Sequence, residues 1–585
     1  MAIQTDVDIS IGNTPIEDFL NISLSQQVLM HHHLYITIRK DLLDKDKSEN
    51  LIGKPVKLKI KSLVHNNEET EFSGIVYELK TTRSNQYSGD LIQIHAMSPD
   101  LAMADIQNFR SFENEPLHQI VDTICSDYNI RQKDISGSAD TQLKYTVQFN
   151  ETGFDFIRRL AIRHGQWFLY DGTTLRFGSL PKKSTTLEFG KDLFDFEFSV
   201  KTNALNHTFT AHDYMLNKQE SFDASGSASQ QIPLLSKTAH DASNKVFDKQ
   251  ANHFFQGGFY EKPCLDELTT ITNLAKSSAI SNLMFCQGSS DDPNLMLGGS
   301  IEIKETETEK RSDGSSPPPV NHGKFTVIQL NHYCDRSGNY KNDFKAVPYE
   351  LKQPPYSNPD IMVFSEPHSA VVKDTADPES LSRIRAELFW QRGNKLDTPW
   401  MRIVTPYAGE NKGFHFIPEI GEEVLIGFEG GNPERPYVIG SFYNGKTKPD
   451  QRWQTSDNDY KTIRSRSGHT IEMIDKQGSE EIKIYDGSPD NYNYSITLAS
   501  HSKQILIEAK GDLEIKADNI KITAAQNLEL QANNIKGSAD SNVEFNATMK
   551  MSLDGGTQLE QKASAKAVVN GGGQLELSGG MVKIN

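Results

Sequence analysis

Apolar and polar residues alternate along much of the first hundred positions. In KPVKLKIKSLV, Val56, Leu58 and Ile60 share one face, and FSGIVYELK and LIQIHAM (Leu91 to Met97) repeat the pattern. All three are predicted strands separated by polar turns. The period then lengthens. In EPLHQIVDTICSDYN, Leu117, Ile120, Val121 and Ile124 fall on one helical face, and FDFIRRLAIRHG follows an Asn/Glu/Thr-rich start suited to capping a second helix. QWFLYDGTTLRFG returns to strand as a hairpin turning at Asp171-Gly172. From about 200 to 300 no period dominates. RSDGSSPPPVNHG (Arg311 to Gly323) is a loop by composition, and GKFTVIQLNHYCDRSGNYKNDFKAVP is a strand pair. The proline-rich stretch between Pro354 and Pro367 is linker-like and marks a domain boundary, and Leu381 to Gly445 has the short strands of a small barrel.

Beyond Pro489 there is no proline, and past Tyr494 the only aromatic is Phe545. Apolar pairs recur there as Ile505/Ile507, Leu513/Ile515, Ile520/Ile522, Leu528/Leu530 and Ile535, spaced 8, 7, 8 and 7 residues apart. Less regular members follow at Val543/Phe545, Met551/Leu553, Leu559, Leu575/Leu577 and Val582/Ile584. Residues i and i+2 of a strand point the same way, so each unit is a short strand plus a polar turn such as AKGD or ADN. A single-chain solenoid needs roughly twenty or more residues per coil to enclose a core. One octad therefore supplies one wall, and three octads of one chain would close only a slim coil. Three chains wound round a shared Ile/Leu/Val axis bury every pair and leave no strand edge open. The missing prolines agree, since every backbone N–H is needed in the ladders. A single-chain solenoid is the competing arrangement.

At 585 residues the chain requires several domains, and 36% hydrophobic with 24% charged residues is an ordinary globular composition. The net charge of −17 disfavours nucleic acid and anionic membrane surfaces as partners. No stretch is long and apolar enough to span a bilayer, and MAIQTDVDISIG lacks the basic and apolar regions of a secretory signal. Cys125, Cys264, Cys286 and Cys334 stand singly and are expected as buried small hydrophobes in a reducing cytoplasm. Export would then need another route.

Candidate chemistry is thin. GSFYNGKT (Gly440 to Thr447) fits the phosphate-loop pattern by letter, but Pro449 stands where its helix should propagate, and Asn444-Gly445 is a two-residue hairpin turn. DKDKSEN (Asp44 to Asn50) starts like a calcium loop but has Glu49 for the glycine and Pro55 for the closing glutamate. His31, His32 and His33 sit on alternating strand faces and cannot converge on a metal. Neither a nucleophile elbow nor a zincin motif occurs. No catalytic residue, cofactor or metal is expected.

Trp400 to Gly445 resembles the small oligonucleotide/oligosaccharide-binding (OB) type barrel of the VgrG, or valine–glycine repeat, spikes of type VI secretion. The family pattern is met at Phe416-Ile417-Pro418, Gly421-Glu422-Glu423-Val424, Gly431-Asn432-Pro433-Glu434-Arg435-Pro436 and Tyr443-Asn444-Gly445. IRSRSGHTIEMID (Ile463 to Asp475) is similar to the start of that family's β-helix, and Gln148 to Asp171 to its hub helix, with Arg163-His164 replacing the usual acidic run. Phage tail hub-and-needle proteins share the architecture.

The resemblance implies a mainly β chain. It would comprise a barrel-containing α+β hub (1–365), an OB-fold barrel (366–450) and a homotrimeric triple-stranded β-helix needle (451–585). It further implies a non-enzymatic puncturing spike docked on a ring-forming, Hcp-like tube protein and on baseplate proteins, and carrying effectors. A tip protein of the proline–alanine–alanine–arginine (PAAR) type would cover Met581, Val582, Lys583, Ile584 and Asn585. With about fifteen residues between Gly445 and Ile463 and an end at Asn585, no muramidase or toxin domain is expected. The alternatives are a phage baseplate hub-needle and a carbohydrate- or oligonucleotide-binding tail protein. The latter would use aromatic platforms among Trp400, Phe414 and Phe416 with Arg402, although Phe416, as a motif residue, is expected in the core.

Overall fold

Period-two alternation gives strands with one apolar face, and such faces must close on each other. The computed structural model of the chain describes residues 5–40, 51–64, 69–83, 90–136, 142–226, 232–249, 251–255, 264–306, 319–392, 396–488 and 491–584. The Asp44–Asn50 loop, most of the Arg311–Gly323 loop and Asn585 lie outside these. The chain is mainly β and divides into two compact units, Met1–Gln451 and Arg452–Asn585.

The first unit is built on a 13-stranded sheet. Strand Ser300–Glu305 pairs with both Ser184–Phe189 and Val320–Asp335, which closes a ring completed by Leu193–Val200, Met284–Ser290 and Tyr340–Pro348. The sixteen-residue strand Val320–Asp335 serves two lobes. Its first half pairs inside the ring, and Gln329–Asp335 pairs with Asn21–Gln27, which opens an antiparallel lobe through His33–Arg39, Asp90–Met97, Glu69–Arg83, Pro55–Ser62 and Thr5–Ile11. Each lobe has its own apolar core, one around Ile36, Ile60 and Phe156 and one around Leu187, Ile301 and Phe325. The four cysteines are free and buried, and burial pushes the Cys125 and Cys286 thiols up to about 12.

Both expected helices form, at Leu117–Asp127 and Gly153–His164, and their apolar faces cover the first core. Thr152 caps the second helix by accepting the Asp155 N–H at 3.1 Å, and Gly165 ends it at φ 61°. The hairpin Phe168–Phe177 turns through four residues, Asp171 to Thr174, rather than through a two-residue Asp-Gly turn. Asp171 Oδ1 accepts from the N–H groups of Thr173 and Thr174, so the aspartate side chain organises the longer loop.

The unparsed region is a three-stranded sheet (His207–Asp213, Lys218–Asp223, Ala251–Phe254) with helices Leu234–Val246 and Cys264–Ser281. The second helix is rich in Ser and Thr, whose hydroxyls bond back to carbonyls four residues earlier, as in Thr272 to Leu268 and Ser281 to Ser277. Satisfied this way, polar residues are buried and the apolar period is blurred. The stretch Pro354–Pro367, expected as a linker, is pinned instead: Phe168 N–H donates to Tyr356 Oη, Asn358 N–H to Ile162 O and Ser365 N–H to Gly431 O.

A buried polar chain crosses the junction of the lobes. Gln26 Nε2 lies 3.2 Å from His32 Nδ1, and its Oε1 3.2 Å from His332 Nε2; His332 Nδ1 meets Tyr340 Oη at 2.5 Å. These bonds all form with both rings neutral, and His32 Nε2 is left buried without a hydrogen-bond partner. Burial pushes His32 down to about 4 and His332 to about 3, and desolvation pushes half-buried His164, beside Arg163, to about 3. The unfolded chain therefore binds more protons than the folded one as pH drops below about 6.5, and stability falls from there towards pH 4. Calorimetry should find the melting temperature of this unit declining across that window, by up to about 1.4 kcal/mol of stability per histidine per pH unit. A flat profile between pH 6.5 and 4 would contradict the neutral-ring assignment.

Candidate assembly surface

The second unit begins with five antiparallel strands, Tyr460–Arg464, Thr470–Ile474, Glu481–Tyr485, Tyr494–Ala499 and Gln504–Ala509. Their register lines up two apolar rows. One runs Ile463, Ile471, Ile484, Ile496, Ile507, and the other Met473, Ile482, Leu498, Ile505. Both rows are exposed, while the opposite face buries Thr470, Glu472, Tyr485 and Ser495. Ile471 is 43% exposed and its neighbour Glu472 only 2%. Trp453 Nε1 donates to Glu472 Oε1 at 3.1 Å, which helps to satisfy that carboxylate. A single chain thus presents an inverted sheet with a contiguous apolar face, the mark of an assembly surface.

Past Lys510 the ladder stops. Among the described residues, the only backbone–backbone bonds beyond that point are Gln558 N–H to Gly555 O and Gln574 N–H to Gly571 O, both 3.1 Å. The proposed needle residues Ile505, Ile507, Leu513, Ile515, Ile520, Ile522, Leu528, Leu530 and Ile535 are 55–71% exposed. Alanine follows each regular pair two positions later, at Ala509, Ala517, Ala524 and Ala532, and so extends the same strand face with a small side chain.

The irregular region has a repeat that the apolar spacing hides. DGGTQLE (Asp554 to Glu560) and NGGGQLE (Asn570 to Glu576) lie sixteen residues apart. In each the first side chain accepts the N–H of the second glycine, Gly556 at 2.9 Å and Gly572 at 3.0 Å, and those glycines take φ 57° and 59°. Reading apolar pairs alone misses it, although the shared Gly-Gly and Gln-Leu-Glu letters could have marked it.

In the first unit, strands His368–Asp374, Arg385–Leu388, Glu423–Phe428 and Pro436–Ser441 form the small barrel sheet, with Val372, Leu388, Val424, Ile426 and Val438 in its core. Of the motif residues, Val424 is in that core, Ile417 packs against it, and Asn432 and Arg435 are buried. Gly421 and Gly431 take φ 90° and 78°. Pro418, Pro433, Pro436, Tyr443, Asn444 and Gly445 shape its loops and edges, Tyr443 being strongly exposed. Phe416 is not in the core but 64% exposed. It follows a two-residue hairpin, Ala408–Gly409 with Lys412–Gly413, that lies outside the sheet, and motif membership misled. Asn444-Gly445 is not a hairpin between paired strands either. Asn444 Oδ1 accepts from Lys446 and Thr447 N–H at 2.9 and 2.8 Å, and no helix opens at Lys446. The three histidines diverge: His31 faces Asp100, His32 faces Gln26 and His33 faces His95.

Two family models match this architecture in order, the phage tail baseplate hub (GPD) over residues 30–313 and the type VI secretion system/phage-baseplate injector OB domain over residues 368–443. The chain belongs to the family of VgrG spikes and phage tail hubs. It is 21% identical over 474 residues to the type VI secretion system spike protein VgrG1b of Pseudomonas aeruginosa, covering 75% of this chain and 61% of that one. To VgrG4b of the same organism it is 24% identical over 462 residues, covering 72% and 55%. The chain therefore spans little more than half the length of these VgrG relatives. Its fold is similar to a chain of the half-lidded Francisella PdpA-VgrG complex, with TM-score 0.55 and 11% identity over 87% of this chain and 88% of that one.

One VgrG barrel position can be tested directly. A Cβ at Gly431 would run into the Phe364 ring, and φ there is 78°. Gly431→Ala should cost more than about 1 kcal/mol, read as a lower melting temperature of the first unit.

Proposed function

We propose that the chain is the homotrimeric puncturing spike of a contractile injection machine of the type VI secretion kind. The observation that carries this is the C-terminal unit: two apolar rows across five strands lead into octads with no ladder of their own. Backbone N–H and C=O groups brought out of water need partners, and a lone chain offers the octads almost none. Two further copies would supply both the ladders and the cover for the apolar faces. Burying an Ile or Leu contributes roughly 2 kcal/mol, so a seam this long would make a stiff and persistent rod.

In this reading the work is mechanical and no turnover is involved. The hub and barrel seat on the ring-forming, Hcp-like tube protein and the baseplate, the needle transmits thrust, and effectors travel with it. Met581, Val582 and Ile584, with the exposed Lys583 between them, offer the surface on which a PAAR-type tip protein would close. Leaving the cytoplasm by the machine itself requires no signal peptide. One observation favours a second reading, ligand binding at the barrel: Phe414 and Phe416 are exposed, with ring centroids 6.2 Å apart. Arg402, the basic group that such a site would use, is instead paired with Glu429 and lies 4.3 Å over the Tyr214 ring. The spike reading is preferred.

Light scattering on the full chain should return three times 65.6 kDa. A chain ending at Gln451 should lose most of that association. Ile484→Glu, placed in the middle of a row, should yield monomers while the melting transition of the first unit stays unchanged. A full-length monomer would return the octads to a single-chain solenoid and end the spike reading.

A further inference from the structure

The barrel loop Gly431–Pro436 buries a carboxylate at the one position that the motif leaves open. Glu434 is 3% exposed. Its Oε1 accepts from Thr146 Oγ1 at 2.5 Å and Val147 N–H at 3.4 Å, and lies 3.3 Å from Arg159 Nη1; its Oε2 pairs with Arg163 Nη1. Thr146 and Val147 belong to the strand Gln142–Glu151, and both arginines to the helix Gly153–His164, so every one of these partners is in the hub. Arg159, 4% exposed, is fixed in turn by Glu151, through Nε at 2.8 Å and Nη2 at 2.9 Å, and by Val147 O at 2.6 Å. The loop aims the carboxylate: Asn432 Oδ1 accepts Glu434 N–H at 3.0 Å, and Asn432 O accepts Arg435 N–H at 2.9 Å. Burial alone would raise the Glu434 carboxyl, but Arg163 and Arg159 outweigh it and hold the group well below the usual carboxylate range.

Several other contacts between barrel and hub are more forgiving. Gln391 Nε2 donates to Ser111 Oγ and Tyr145 Oη, Trp390 packs edge-on against Phe149, and Arg385 pairs with Glu113 at a half-buried site. Apolar and neutral contacts tolerate exchange, whereas removing one partner of a buried ion pair strands the other charge in the interior.

We propose that Glu434 is the positioning and specificity residue that seats this barrel on this hub, so that a barrel lacking an acid there does not lock against Arg159 and Arg163. The inference concerns the first unit alone and holds whatever the C-terminal unit assembles into.

Hydrogen exchange read by mass spectrometry on the full-length chain tests it. Glu434→Gln keeps the shape and removes the charge. It should speed exchange at least tenfold in segments 145–149 and 430–436, with strands Val320–Asp335 and Glu423–Phe428 within twofold of the parent. Glu434→Asp, which keeps the charge, should recover at least half of the lost protection on a logarithmic scale. No local change in Glu434→Gln, an even rise across the unit, or Glu434→Asp behaving like Glu434→Gln would each overturn the assignment. Should Glu434→Gln fail to fold, Arg163→Met leaves Arg159 in place and should open the same two segments by a smaller factor; a uniform or absent response there overturns it equally.

Discussion

An unmet backbone governs this molecule. Among the described residues past Lys510 a single chain forms no ladder, and its apolar side chains at strand spacing face solvent. Water can satisfy the peptide groups, but it cannot satisfy the apolar rows, and burying the rows takes the peptide groups out of water with them. In the proposed trimer, two further copies would supply strands and apolar faces together and resolve both demands. The five-stranded sheet already states the same demand within its own ladder, because its buried face is largely polar, with Thr470, Glu472 and Ser495, and its exposed face apolar. Ile505 and Ile507 belong both to the last strand of that sheet and to the first octad, so one continuous apolar surface serves both.

The first unit meets the opposite demand. It completes its own cores and spends its polar groups internally, in the Gln26 chain between lobes and in the Glu434 cluster between barrel and hub. Such contacts contribute little net stability but penalise misplacement heavily. They suit a body that must keep its parts in fixed register. The pinned segment Pro354–Pro367 acts in the same direction, since a free tether there would let the barrel tilt on the hub.

How much could be read in advance follows from how local each interaction is. The strand Gln504–Ala509 was legible because its alternation is set within a few residues, and the helix Gly153–His164 because Thr152 and Gly165 bracket it. The Gln26 to His332 bond spans 306 positions and leaves no trace in any window. The helix Cys264–Ser281 hid because its hydroxyls satisfy themselves on the backbone. Phe416 was misplaced for another reason: a motif residue can be kept for a surface as readily as for a core. Glu434 stood in plain view, but nothing in its neighbours along the chain announces two arginines some 270 residues away.

In the proposed spike these two regimes would divide the mechanical task. A seam of Ile and Leu gains from every added layer as long as its rows stay apolar, so it resists bending and tolerates variation in its turns, as the Asp554 and Asn570 loops illustrate. A charged lock is the reverse. It adds little when whole and fails at one atom when broken, so it belongs where the chain must commit to one geometry rather than bear distributed load. Thrust on an assembled needle would be carried by the first kind of contact and aimed by the second. That places the tightest constraint on sequence at the barrel–hub junction, around Glu434, and the loosest along the octads, where apolar character at alternate positions and the exclusion of proline are the strict requirements.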